Sequence, residues 1–327
     1  MADYKGIKGF TIPSVSSDPD NPIMGQIWYN SSSAILKGEI VGVGTWASGG
    51  NLNQTSMLRA GFGTQTTAYV CGGEGPPSTL LATVENYDGS AWSETTDLNT
   101  ARSSIQGGGD GSATAGLVFG GEIPAAQLTG VTESWNGTSW TEGNDLNTAR
   151  RYMASTTSGT NTAVLAFGGL SPGATAVTEQ WNGTSWTEGN DLNTARYGQG
   201  GFGTTTAAIS ASGASPPISN VESWNGTSWT EVNDVNTARR GLGSSGNATE
   251  GLVFGGDNPS LNAETESFDG TSWTEVGDLS TARAYGATGG ITSTTEALFA
   301  GGATPSLTNA TEEWNKPDTT TVTVTTS

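Results

Sequence analysis

Histidine is absent from all 327 residues. That removes the Ser–His–Asp triad, the imidazole general base and every histidine metal ligand. There is one cysteine, so neither an intramolecular disulfide nor a cysteine-cluster metal site can form. Positive charge is scarce: 12 Lys and Arg stand against 31 Asp and Glu, a formal charge of −19. Such a surface repels phosphate, which argues against nucleic acid as a partner and equally against anionic lipid. No apolar run is long enough to span a bilayer, and the opening MADYKGIKGF lacks the apolar stretch of a signal peptide. A chain made in the cytoplasm, without membrane insertion, is therefore expected. Charged residues are 13% and hydrophobics 33%, too little for many stable helices. Glycine is what abounds, 49 residues, about twice ordinary usage. With Ser and Thr between the glycines and no collagen triplet, the glycine must serve the turns of β-structure.

The sequence repeats itself. WNGTSWTEGNDLNTAR stands at 135–150 and again at 181–196. The arginine closing this phrase recurs at Arg102, Arg150, Arg196, Arg239 and Arg283, with a degenerate copy at Arg59. A Gly-Gly doublet follows each except in the fourth unit, which has Ser212-Gly213. An aromatic comes next (Tyr87, Trp135, Trp181, Trp224, Phe268, Trp314), and five residues later a tryptophan (Trp92, Trp140, Trp186, Trp229, Trp273). The sixth unit lacks its closing tryptophan, and Gly44-Thr45-Trp46 with Asn51-Leu52-Asn53 supplies the missing phrase from the other end of the chain. A linear solenoid does not need its end completed by its beginning; a ring does. A repeat of this length with periodic Gly and Trp reads as a propeller blade. The expected fold is all-β: a six-bladed β-propeller with four antiparallel strands per blade, closed by an N-terminal strand around 40–48. One blade is expected from 150–157, 162–168, 131–136 and 139–143, with a type I′ turn at Asn136-Gly137. Residues 1–40 are read as an N-terminal arm, 41–316 as the propeller and 317–327 as a tail whose Thr/Val alternation suits an edge strand.

These marks resemble the kelch-repeat family: the opening arginine, an apolar run ending in Gly-Gly such as GLVFGG at 251–256, and the paired aromatics. GQIWYNSSS, the glycine-rich WASGGNLN and the TAR…FGG units are more narrowly similar to kelch-like proteins of tailed phages, especially marine ones. That likeness implies a virion structural component, in a tail fibre or decorating a capsid, with other virion subunits and itself as partners and a host-surface glycan or protein as a further one. The alternative is a free-standing carbohydrate- or protein-binding propeller, a lectin or an adaptor. Kelch-like copper oxidases require histidine ligands. The sialidase turn S-x-D-x-G-x-x-W is approached only by Ser267–Trp273, where Asp269 and Gly270 are adjacent. No enzyme, cofactor or metal is expected.

Three residue sets stand out. Glu85, Glu133, Glu179, Glu222, Glu266 and Glu312 each lie two residues before the first aromatic. With Arg59, Arg102, Arg150, Arg196, Arg239 and Arg283 they form an expected ring of structural ion pairs, because a buried carboxylate needs a partner. Arg151, Tyr152, Tyr197, Arg240 and Tyr285 break the repeat just after the TAR arginines, on the face expected to carry the variable proline-containing loops, and are the candidate binding residues. Ile23, Met24, Ile27, Trp28 and Tyr29 are an apolar cluster on the arm, which left exposed would be an aggregation risk and is expected to dock, on its own propeller or on other subunits. A closed ring is expected to offer no free sheet edge, which leaves assembly to the arm.

Overall fold

A computed structural model describes residues 12–19, 25–108, 112–214, 216–289, 294–317 and 319–324; the side chains of residues 41, 319 and 320 are not described. The described residues contain strands and turns and no helix. They divide into two compact units, residues 45–315 and a smaller one of residues 1–44 with 316–327.

The larger unit holds six four-stranded antiparallel sheets among its described residues. Sheet 1 runs Ala60–Thr64, Thr67–Cys71, Val84–Tyr87, Trp92–Glu94 from its inner to its outer strand. Sheets 2 to 5 follow the same plan, from Gln106–Gly108 to Trp140–Glu142, Ala154–Ser155 to Trp186–Glu188, Gly200–Gly203 to Trp229–Val232, and Gly243–Asn247 to Trp273–Glu275. Sheet 6 takes Ala287–Thr288, Glu296–Ala300 and Thr311–Asn315, and its outer strand is Thr45–Ser48. Trp314 faces Trp46 there as Trp135 faces Trp140 in sheet 2.

The grouping of strands differs from the expected one. Val164–Phe167 pairs forward with Thr178–Trp181, so 131–136 and 139–143 belong to sheet 2 and not to the sheet of 150–157 and 162–168. Each sheet begins at its arginine, since consecutive strands pair most readily with their chain neighbours. The turn also differs from type I′. Only Gly137 takes positive φ (93°), while Asn136 keeps its side chain on the backbone, its Oδ1 accepting from the N–H groups of Thr138 and Ser139. Asp88 and Asp269 make the same two bonds in their turns.

Burial follows from position. Second strands such as Gly116–Phe119 are buried throughout and read as continuous apolar runs. Outer strands bury only their tryptophan. The core therefore lies between neighbouring sheets: Phe119 packs edge-on against Trp186 of the next sheet at 4.8 Å, Phe167 against Trp229 at 4.8 Å and Phe254 against Trp46 at 4.8 Å. Sheet 1 carries Cys71 in the phenylalanine slot, fully buried with its thiol pushed up to about 12 by burial. There Phe62 from the inner strand meets Trp140 instead. Each tryptophan also donates across the gap: Trp186 Nε1 to Thr132 Oγ1 at 2.9 Å, Trp229 to Thr178 at 3.0 Å and Trp46 to Thr265 at 2.9 Å.

Between sheet 6 and sheet 1 the same contact recurs, Trp92 Nε1 donating to Thr311 Oγ1 at 3.0 Å. Tyr87 of sheet 1 donates its hydroxyl to Glu313 of sheet 6 and accepts the Gly50 N–H at 3.2 Å. Burial first, and then the Glu313 carboxylate, push the Tyr87 phenol up to about 12 from its ordinary 10.0. A phenol raised on folding stabilises fully below its unfolded pKa, and that contribution disappears as pH rises through the folded value. Stability measured by urea unfolding is therefore expected to fall from about pH 10 to about pH 12, and to fall less steeply in Tyr87→Phe. An equal slope in both proteins would contradict the assignment.

The inner strands approach backbone to backbone. A Cβ on Gly107 would lie 2.3 Å from Gly61 O, and one on Gly61 would lie 2.1 Å from Thr288 O. Gly107→Ala is expected to lower stability by about 1–3 kcal/mol through overpacking. Gly173→Ala, with nothing within 4 Å of the new atom, should stay within about 0.5 kcal/mol of wild type. Denaturant melts of the two variants measure both.

Six residues share positive φ, five of them two residues beyond an opening arginine and Leu58 directly before Arg59: Leu58 (60°), Ser104 (54°), Tyr152 (54°), Gly198 (65°), Gly241 (62°) and Tyr285 (61°). Their backbones form a cycle. Ser104 N–H donates to Leu58 O, Tyr152 to Ser104, Gly198 to Tyr152, Gly241 to Gly198, Tyr285 to Gly241, and Leu58 back to Tyr285, at 2.7 to 3.1 Å. Left-handed backbone is unfavourable for the four side-chain-bearing members and persists where surrounding structure over-determines it. The cycle does this.

The smaller unit is one sheet made from both chain ends. Ser14–Val15 runs parallel to Ile27–Asn30, which pairs antiparallel with Ile35–Val41, and Thr319–Thr323 completes the sheet. The tail thus forms an edge strand. Trp28 does not stand exposed on the arm. It is fully buried, and its Nε1 donates to Asp18 Oδ1 at 3.0 Å. Asn30 also donates to Asp18 at 2.8 Å, and Lys37 forms an ion pair with it. These partners hold the Asp18 carboxyl down at about 2, the Lys37 bond contributing most.

Candidate functional site at the blade-connection face

The residues after the opening arginines are positioned by short bridges to the residues after the Gly-Gly doublets: Arg151 with Leu170, Tyr197 with Ala214, Arg240 with Asp257. The sheet connections and the variable loops therefore share a face. On it the five repeat-breaking residues come together. Tyr152 meets Tyr197 at 6.2 Å and Tyr285 at 6.3 Å between ring centroids. Tyr152 and Tyr285 occupy opposite positions of the six-membered backbone cycle, so their contact spans it. Beneath them lies a cavity of about 80 Å³ lined by Arg59, Gln106, Met153, Gln199 and Leu242 among others, room for roughly two or three waters.

The charged groups of this cluster are paired with each other. Arg240 Nε donates to Asp257 Oδ1 at 3.1 Å and its Nη1 to the Tyr197 hydroxyl at 3.3 Å. The Tyr285 hydroxyl donates to the same Asp257 oxygen at 3.1 Å. Burial, then the Asp257 charge, raise the Tyr285 phenol well above its ordinary value, and the hydrogen bond to Asp257 raises the Arg240 guanidinium. Arg151 pairs with Glu122 and lies 5.3 Å over the Tyr152 ring. These contacts brace sheets 4, 5 and 6 together through Asp257, and sheets 2 and 3 through Glu122. Both acids escaped the sequence reading. Their signal was an acid directly after Gly-Gly, as at Glu74, Glu122 and Asp257.

The arginine–glutamate set forms six pairs, each inside one sheet: Arg59–Glu85 at 3.0 Å, Arg102–Glu133 at 2.9 Å, Arg150–Glu179 at 3.2 Å, Arg196–Glu222 at 2.9 Å, Arg239–Glu266 at 3.0 Å and Arg283–Glu312 at 3.1 Å. All twelve side chains are buried. The second carboxylate oxygen reaches out of the sheet to the DLN phrase of the preceding unit. Glu133 accepts from Asn99 N–H at 2.8 Å, Glu179 from Asn147 at 2.7 Å, Glu222 from Asn193 at 2.7 Å and Glu312 from Ser280 at 2.7 Å. Burial lowers the pKa of the Arg150 guanidinium, opposed by Glu179. Burial also lowers that of Arg283, to about 10, which leaves Arg283 charged at neutral pH.

Of the arm residues, Ile23 and Met24 lie outside the described residues. Ile27 is 36% exposed on the sheet face opposite the buried Trp28, and Tyr29 is half-buried on the same face as Ile27. Among the described residues no cluster of three or more metal-ligating side chains occurs, and no helix is long and apolar enough to cross a membrane.

No protein-family model matches the sequence, and no curated protein matches it. The fold is matched by 414 chains of solved structures, so by itself it selects no activity. One of them, described as "Structure of YjhT", is a kelch-type β-propeller. It shares 14% identity with this chain at a TM-score of 0.62, over 80% of this chain and 95% of the other. At that identity the likeness is one of fold, and the all-β chain described here has a kelch-type β-propeller-like architecture.

Proposed function

We propose that residues 45–315 form a closed six-bladed propeller, each four-stranded sheet one blade, and that the protein is a non-catalytic structural component of a larger particle. The narrower likeness to kelch-like phage proteins makes that particle a virion, with other virion subunits as partners. Closure is supported by the backbone cycle, which returns from Tyr285 to Leu58, and by the Trp92–Thr311 bond at the seam. The observation that carries the structural role is the fate of the chain ends. Thr45 pairs with Asn315, so the chain enters and leaves the larger unit at one place. Val41 pairs with Thr319, so both chain ends build one sheet that belongs to the smaller unit. Such a sheet is suited to attachment, because it can engage a neighbour without disturbing the propeller core. The mouth of the cycle supports a non-catalytic reading, being occupied by Tyr152 and Tyr285 with the neighbouring charges already paired.

A second reading, a carbohydrate- or protein-binding propeller, is favoured by the gathering of Tyr152, Tyr197 and Tyr285 on one face. Quantitative mass spectrometry of purified particles separates the two. The structural reading expects the protein at a fixed copy number per particle, lost when residues 1–41 are removed while the remainder stays folded. Absence from particles, together with glycan binding abolished by Tyr197→Ala, would establish the second reading.

A further inference from the structure

The turns that join third strands to outer strands in sheets 1 to 5 have one shape. Asn136, Asn182 and Asn225 open three of them, Asp88 and Asp269 the other two. The next residue is always glycine, with φ between 90° and 93°. In the asparagine turns the side-chain Oδ1 accepts two backbone N–H groups. Asn136 accepts from Thr138 at 3.0 Å and Ser139 at 2.9 Å, Asn182 from Thr184 and Ser185 at 2.9 Å, and Asn225 from Thr227 and Ser228 at 2.9 Å. All three asparagines are exposed. The outer strand that follows each turn is an edge with a partner on one side only, so the expectation of a ring without free edges is not met. Among the described residues the N–H groups of Gly137, Gly183 and Gly226 make no hydrogen bond.

This arrangement is reactive. Two donors on Oδ1 draw electron density from the carboxamide carbon Cγ and hold negative charge on that oxygen when a nucleophile adds, as the donors of an oxyanion hole do. The nucleophile nearest along the chain is the nitrogen of the following glycine. It has no side chain to obstruct its approach and no acceptor to give up.

We infer that Asn136, Asn182 and Asn225 are sites of spontaneous deamidation. The glycine nitrogen bonds to Cγ and closes a five-membered succinimide. The Cγ–Nδ2 bond breaks, and Nδ2 leaves as ammonia with the proton that the glycine nitrogen gives up. Water then opens the ring, at Cγ to give aspartate or at the main-chain carbonyl to give isoaspartate. The aspartate product fits, because the chain already holds it in two of the five turns. Asp88 accepts from Ser90 and Ala91 at 2.9 Å, and Asp269 from Thr271 and Ser272 at 2.9 and 2.7 Å. The bond from the preceding sheet is also common to both kinds of turn. Asn144 Nδ2 donates to Thr184 O at 2.9 Å and Asn190 to Thr227 O at 2.8 Å, as Asn233 does to Thr271 O at 2.7 Å in the Asp269 turn. Each event adds one negative charge to a chain of charge −19. The inference is independent of the virion reading.

Asn247 is an internal control. Its Oδ1 accepts from the Thr249 and Glu250 N–H groups at 2.9 and 3.2 Å, but alanine follows it. Mass-spectrometric peptide mapping of the full chain, aged folded in mildly alkaline buffer, tests the inference. Ammonia loss at Asn136, Asn182 and Asn225 is expected to be at least about tenfold faster than at Asn247. Asn136→Asp should melt as wild type does. Rates at the three asparagines no greater than at Asn247, or conversion only in chains first unfolded in urea, would overturn the inference. A lowered melting transition in Asn136→Asp would contradict the fit of the product.

Discussion

Arg150→Ala is expected to destabilise the protein by about 3–5 kcal/mol, the range for removing one partner of a buried ion pair. The Arg150 side chain is fully buried. Its guanidinium donates to Glu179 Oε1 at 3.2 Å and to the carbonyls of Gly168 and Val177 at 2.7 and 2.6 Å. Truncation leaves the Glu179 carboxylate buried without its cation, and takes the guanidinium donor from the Gly168 and Val177 carbonyls. Glu179 also caps the N–H groups of Asn147 and Thr148 from the preceding unit, so damage to one pair loosens the junction between two sheets. The size of the effect comes mainly from the unpaired carboxylate. Arg150→Ala with Glu179→Ala should therefore recover part of the loss. Urea unfolding of the two single variants and the double measures this. Additive losses would show that the pair is not the source.

Removal of residues 1–50 is expected to have an effect at least as large, because it takes the outer strand from sheet 6. The lost strand carries Trp46, 9% exposed, which packs on Phe254 at 4.8 Å and Trp314 at 5.6 Å and donates to Thr265. A buried tryptophan truncated to alanine costs about 3–5 kcal/mol, and here the pairing of Thr311–Asn315 is lost as well. That chain should aggregate or unfold without a sharp transition. A chain beginning at Gly42, which keeps Thr45–Ser48, should melt cooperatively. Equal melting of the two would mean that the strand is an appendage.

Much of this architecture was legible because it repeats. Five arginines four residues ahead of their inner strands, and six glutamates two residues ahead of an aromatic, report a common environment; Arg59 stands directly ahead of Ala60–Thr64 and reaches Glu85 from a displaced position, and the twelve charged side chains meet in pairs. Trp46 was legible by default, as the phrase the sixth unit lacked. Features without internal copies were harder to read. Nothing in the sequence near Trp28 says that Asp18, ten residues earlier, will accept its indole N–H, so an aromatic in an irregular arm reads as exposed. The partition of strands into sheets went wrong at 131–143 because a circular repeat has no marked beginning. Asp257 and Glu122 became visible only when the turn after Gly-Gly was seen to lie beside the next arginine. The Asn136 turn was misjudged because its carboxamide takes the hydrogen bonds that a type I′ turn would leave to the backbone.

Closure rests on one bond in the backbone cycle being like the other five. Native-state hydrogen exchange of the amides of Leu58, Ser104, Tyr152, Gly198, Gly241 and Tyr285 tests this most directly, since five donate between sheets consecutive in sequence and Leu58 donates across the seam to Tyr285. A closed ring predicts that all six exchange at a common slow rate, set by global unfolding. Fast exchange at Leu58, with the other five still protected, would contradict closure.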